Sequence, residues 1–82
     1  MLYLAWEETG TVGADAEGPW EDAVVLRPGL LLLASGATRS VVYHALKHHL
    51  PPAAALLVAP LAEAPKMKGM AAGTTAWLRD HR

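Results

Sequence analysis

His44 and His48 stand four residues apart, the spacing that places two imidazoles on one side of a helix and lets them share a metal ion. Zinc needs at least one more protein ligand. His81 or Glu63 would have to bring it from a distant part of the chain, and no His-Glu-x-x-His pattern is present. A solvated polar helix face accounts for the same pair without a metal, and no cofactor is expected. The segment Ser35-Gly36-Ala37-Thr38-Arg39-Ser40 places hydroxyls, free amides and a guanidinium at a helix start. That chemistry suits phosphate or carboxylate, although ordinary helix capping by Thr38 uses the same groups. The Gly-Lys-Ser/Thr ending of a phosphate-binding loop is absent.

Lys66-Met67-Lys68-Gly69-Met70 is a short basic loop that, with Arg79 and Arg82, has the charge to contact a nucleic-acid backbone. The aromatic residues Tyr3, Trp6, Trp20, Tyr43 and Trp77 are not interleaved with it, as a base-stacking platform requires. A solvated loop whose methionines cover the core edge is the plainer reading. Catalysis by other routes finds no support. There is no cysteine, Ser35 and Ser40 lack a nucleophile-elbow pattern, and no Ser–His–acid order is recognisable.

Charge is distributed unevenly. Residues 1–22 carry six acids and no Lys or Arg, whereas residues 23–82 carry seven Lys and Arg against Glu63 and Asp80. The two parts are therefore −6 and +5, which sum to the net −1 of the chain. Such a split points to an anionic partner for the basic part, or to mutual neutralisation within the fold or across a dimer. Of the 82 residues, 52% are apolar, but sixteen of these are Ala, so Leu and Val must supply most of the core. The length supports one domain, residues 1–82. The absence of cysteine favours a cytoplasmic location. Residues 1–8 lack the basic start of a signal peptide, and no apolar run approaches the ~20 residues that span a bilayer, so no membrane partner is expected.

These residues must be positioned by a small set of elements. Residues 2–6 form an apolar run that fits a strand buried on both faces. Residues 9–22 read as loop, being rich in Gly and small acids without periodicity. Residues 23–27 and 30–34 are two apolar runs around Pro28-Gly29, which suits a hairpin turn or a kinked single strand. Residues 39–50 have Val41, Val42, Ala45, Leu46 and Leu50 at helical spacing, with Ser40, His44, Lys47 and His48 opposite. Pro51-Pro52 stops that helix, residues 53–59 read as a strand ended by Pro60, and residues 70–81 as a final helix. The expected fold is α+β, a small three- or four-stranded mixed sheet with two helices mainly on one face. In it, the crossover over residues 30–59 joins parallel neighbours. The other face would be apolar and bare, which predicts a homodimer.

The runs Leu30-Leu31-Leu32-Leu33-Ala34-Ser35, Val42-Tyr43-His44-Ala45-Leu46-Lys47 and Ala55-Leu56-Leu57-Val58-Ala59-Pro60-Leu61 resemble the second half of small Cas2-like ferredoxin-fold proteins. The resemblance covers residues 30–61 and implies a trimmed ferredoxin-like fold. It also implies metal-dependent nuclease activity. Where that family has a metal-associated Asp at the end of the first strand, this chain has Glu7, and residues 9–22 stand in place of the first helix. The reading that accounts for most of these features is a small, dimeric, non-catalytic interaction or regulatory protein. Its protein or nucleic-acid partner would meet a basic surface of Thr38, Arg39, Lys47, Lys66, Lys68 and Arg79. The alternatives are the Glu7 nuclease and a domain that binds a small anionic ligand near Thr38.

Overall fold

The computed structural model describes residues 1–81; Arg82, grouped above with Arg79, lies outside them. Strand β1, Leu2–Glu7, sets the architecture. Tyr3, Ala5 and Glu7 point to one side of it and Leu2, Leu4 and Trp6 to the other, because successive strand side chains alternate. The first set is buried and Leu2 and Leu4 are largely covered on the other side, and β1 sits in the middle of the sheet, paired with β3 (Leu30–Ala34) on one side and β4 (Leu56–Leu61) on the other. Strand β2, Asp22–Arg27, pairs with β3 to give the order β2-β3-β1-β4. All three pairings are antiparallel. The helical crossover does join two strands of like direction, β3 and β4. They are not neighbours, because β1, apolar on both sides, takes the central place between them.

Residues 28–29 make the hairpin. Gly29 adopts φ +85°, the value a type II turn needs at its second central position and one that a side chain resists. A Cβ there would also lie 2.5 Å from the carbonyl oxygen of Glu7, whose own N–H donates to the Gly29 carbonyl at 2.8 Å. A bulge between Val25 and Arg27 adds twist where the hairpin meets this contact.

Two apolar layers cover the sheet. On one face Tyr3, Ala5, Leu31 and Leu33 pack under helix α1, Arg39–Lys47, through Val42 and Leu46. The 8–21 loop completes that layer with Val12, Ala16 and Trp20, and the Trp20 indole N–H donates to the Ala16 carbonyl at 3.0 Å. On the other face Leu2, Leu26 and Leu32 meet Leu78 of helix α2, Thr74–His81, together with Met67, Met70 and Trp77. The helices therefore lie on opposite faces, and the bare face expected from the sequence is largely covered. The reason is the path after β4: the 62–73 segment runs beneath the sheet and delivers α2 to β2, where Ala71 N–H donates to the Leu26 carbonyl at 2.8 Å.

Three element boundaries differ from expectation. Helix α1 ends at Lys47 with His48 as its C-cap, three residues before Leu50, because the chain must already turn toward Pro51-Pro52. Val41 lies outside the buried stripe, at 48% exposure. Strand β4 runs from Leu56 through Pro60 to Leu61, since a residue without an N–H is tolerated on an edge strand. Helix α2 begins at Thr74, after Gly73 at φ +86°.

Leu78→Ala should cost about 3 kcal/mol in urea unfolding, as removal of a buried leucine does; a loss below about 1 kcal/mol would mean that α2 does not cover the second face. Gly29→Ala should cost about 2 kcal/mol by the same measurement, through both the positive φ and the Glu7 carbonyl contact.

Candidate functional site

Helix α1 starts where the sequence places it. Thr38 Oγ1 accepts from Val41 N–H at 3.3 Å, which satisfies one of the free amides of the first turn. Val42 and Leu46 turn inward. Arg39, Ser40, His44, Lys47 and His48 are exposed, and the half-buried Tyr43 meets His44 edge to face at 5.3 Å between centroids. Between Asp22 and Glu63 the chain has no acidic residue, but it has Arg27, Arg39, Lys47 and three histidines. His44 and Lys47 in the last turn suit the helix dipole. Arg39 does not: a cation in the first turn opposes the dipole, and no acid in that turn offsets it. Helix stability gives no reason for an arginine there.

Ion pairing within the chain does not account for these charges. Among the described residues the one ion pair joins His81 Nε2 to Asp22 Oδ2 at 3.1 Å, and it uses no Lys or Arg. Lys66 and Lys68 are also exposed, but they sit in the 62–73 segment on the α2 side, and Arg79 is exposed on α2 itself. The six-residue basic surface expected from the sequence is thus divided by the sheet. Thr38, Arg39 and Lys47 lie on one side, and Lys66, Lys68 and Arg79 on the other. Linear spacing does not show which face a helix covers, and here α1 and the segment that carries α2 take opposite faces.

Several groups near Thr38 are bonded within the chain. Ala37 N–H donates to Ser35 Oγ at 3.0 Å, Tyr3 O–H donates to the Ala37 carbonyl at 2.6 Å, and Gly36 N–H donates to Glu21 Oε1 at 3.2 Å. The Glu21 carboxylate thus ties the segment that leads into α1 to the end of the 8–21 loop. His44 and His48 line a shallow cavity of about 330 Å³ with Lys47, Leu50 and Pro52. Among the described residues no group of three or more metal-ligating side chains forms, so the pair gains no third ligand.

Glu7 is 1% exposed and faces the α1 side of the sheet. Its Oε2 accepts from Thr9 N–H at 3.1 Å and from the Thr9 hydroxyl, which in turn contacts Thr11 Oγ1 at 2.7 Å. Its Oε1 is buried without a partner. The neighbouring acid, Glu8, is turned outward and accepts from Ala55 N–H at 2.7 Å, tying the loop entry to β4. A carboxyl enclosed in this way is not presented to a second copy, so its placement lends no support to a metal shared across a dimer.

One polar cluster is not evident from the sequence. The His81 ring stacks on Trp77 at 4.0 Å and 15°, its Nδ1 lies 2.7 Å from the Trp77 carbonyl, and its Nε2 reaches Asp22. The i, i+4 spacing of Trp77 and His81 could have indicated the stack, but only the fold brings Asp22 of β2 beside them. Beside His81 a cavity of about 430 Å³ is lined mainly by Met1, Leu2, Leu61 and Ala64.

No protein-family model, curated protein or solved structure matches this chain. Among the described residues no helix is long and apolar enough to cross a membrane.

Thr9→Val should lower stability by about 1–2 kcal/mol, because it strips the hydroxyl donor from a buried carboxyl. In the Glu7→Gln background the same change should cost less than half as much, and equal losses in a double-mutant cycle would show that the two side chains are not coupled.

Proposed function

We propose that this chain is a non-catalytic binding module that contacts an anionic macromolecule, a nucleic acid in the first instance, through the exposed side of α1. The observation that carries this reading is the free charge of that side. Arg39 and Lys47 stand with His44 and His48 on one helix, without an acid in the helix or an ion pair among the described residues. A phosphate backbone supplies the missing negative charge, and binding releases its counterions. Helix α1 is held by Val42 and Leu46, so the cations project from a rigid support and not from a loop. Lys66, Lys68 and Arg79 form a second, separate basic region that a long polyanion could reach only by passing around the sheet.

The element order strand, hairpin, helix, strand supports a trimmed ferredoxin-like reading, in which the 8–21 loop replaces the first helix. The cysteine-free chain and the reading as a polyanion binder fit a cytoplasmic location.

Fluorescence anisotropy of labelled DNA and RNA, titrated from low to physiological salt, tests the proposal. Binding should weaken steeply with salt. Arg39→Ala with Lys47→Ala should reduce the slope of log K against log [salt] by about 2, one unit for each phosphate that is no longer neutralised. Lys66→Ala with Lys68→Ala should change it less. An absence of binding at low salt, or a slope unmoved by the α1 pair, would overturn the assignment.

A further inference from the structure

We infer that strand β4 is a self-pairing edge through which two copies of this chain join their sheets, with Leu57 of one copy opposite Leu57 of the other. The two edges of the sheet are treated differently. Strand β2 carries Asp22 and Arg27 at its ends and a bulge between Val25 and Arg27. It is also covered: Ala71 N–H donates to the Leu26 carbonyl at 2.8 Å, and the Arg27 guanidinium donates to the Gly69 carbonyl at 3.1 Å. Charge, bulge and cover are each a means of discouraging edge pairing. Strand β4 has only Pro60. Residues 50–62 contain no charged side chain at all. Leu57 is 54% exposed and its cross-strand neighbour Trp6 is 43% exposed, on the face opposite α1.

The ladder shows which backbone groups of β4 are free. Glu8 N–H donates to the Ala55 carbonyl at 3.1 Å, so Ala55 faces β1. Hydrogen-bonding direction alternates along an antiparallel strand, so Leu57 and Ala59 face β1 as well, while the N–H and C=O groups of Leu56 and Val58 face outward. Pro60 falls at an outward position, where its missing N–H removes nothing from the pairing with β1. Placing Leu57 against Leu57 of the second copy sets Leu56 opposite Val58 in both directions. Each of these two symmetry-related pairs can exchange both of its N–H···O=C bonds. The same register lines up Trp6, Leu57, Leu57 and Trp6 as one apolar row across the joined sheet.

Charge selects the occupant. An uncharged edge meets its own copy without like-charge contact, whereas pairing with β2 would require an edge that Ala71 already fills. Head-to-tail growth is therefore blocked and the association closes at two. A contact through one short edge strand belongs to the small class of interfaces, with a dissociation constant of about 1–10 µM. This inference is independent of the polyanion reading. It also places the dimer at an edge and not on the sheet face.

Sedimentation velocity over a concentration series tests it. The species should move from 8.7 kDa toward twice that mass as concentration rises. Leu57→Lys, which sets two cations opposite each other on an already exposed position, should sediment as a monomer throughout with an unchanged far-UV spectrum. Hydrogen exchange of the wild type gives a second reading that needs no variant: the Leu56 and Val58 amides should slow at high concentration, while those of β2 should not. A wild-type monomer at about 100 µM, a Leu57→Lys chain that dimerises like the wild type, or Leu56 and Val58 amides indifferent to concentration would each overturn the inference.

Discussion

A strand apolar on both sides must be covered on both sides, and β1 imposes that requirement on the whole chain. Its Tyr3 and Ala5 need one layer and its Leu2 and Leu4 another, and these 82 residues build both. The layers are assembled from what remains. On one face a nine-residue helix and a loop stand in for two helices; on the other, an eight-residue helix and an extended segment do so. This explains why a Gly-rich loop contributes Val12 and Trp20 to the core, and why Met67 and Met70, flexible enough to fill an irregular gap, lie under the sheet. The hairpin turn belongs to the same constraint. Gly29 brings the β2–β3 turn so close to the end of β1 that backbone bonds to backbone there.

The double cover also decides the electrostatics. Because α1 and the α2 layer lie on opposite faces, the basic half of the chain is divided into two regions. The acids of residues 7–22 lie mostly in the loop that shares the α1 face, where the Glu17 carbonyl meets the His49 ring at 2.7 Å, yet among the described residues none forms an ion pair with a Lys or Arg. Asp22 is taken by His81, Glu21 by the amide of Gly36, Glu8 by the amide of Ala55, and Glu7 is enclosed. Several of the acids thus bind the chain's own backbone, and the cations of α1 are left facing solvent. An excess of positive charge on one helix is a consequence of how the acidic loop is used internally.

The same constraint leaves β4 the less protected edge. The segment that follows β4 is used to cover the sheet and to close the outer side of β2, so no chain among the described residues returns to cover β4. An uncharged edge with exposed Leu57 and Trp6 is the counterpart of a well-guarded β2. Its lack of charge lets it meet a copy of itself without repulsion, and its register sets Leu57 on Leu57.

Much of the fold was legible in the residues. Continuous apolar runs marked β1 and β3, Pro28-Gly29 marked the turn, and Thr38 with the Val42 and Leu46 spacing marked α1, because each of these is determined by neighbours within a few residues. The choice of central strand, the opposite placement of the helices and the persistence of β4 through Pro60 were not legible. Each depends on what lies beside a strand, and proline is excluded from a strand only when both its sides are paired. The same division holds for the candidate site. Local sequence determined that Ser40, His44, Lys47 and His48 share the outer side of a helix. Only the tertiary structure decided that Lys66, Lys68 and Arg79 lie elsewhere, that Glu21 reaches the Gly36 amide, and that Glu7 is buried. Helical periodicity fixes direction around one axis, whereas burial and charge pairing depend on the whole chain being packed.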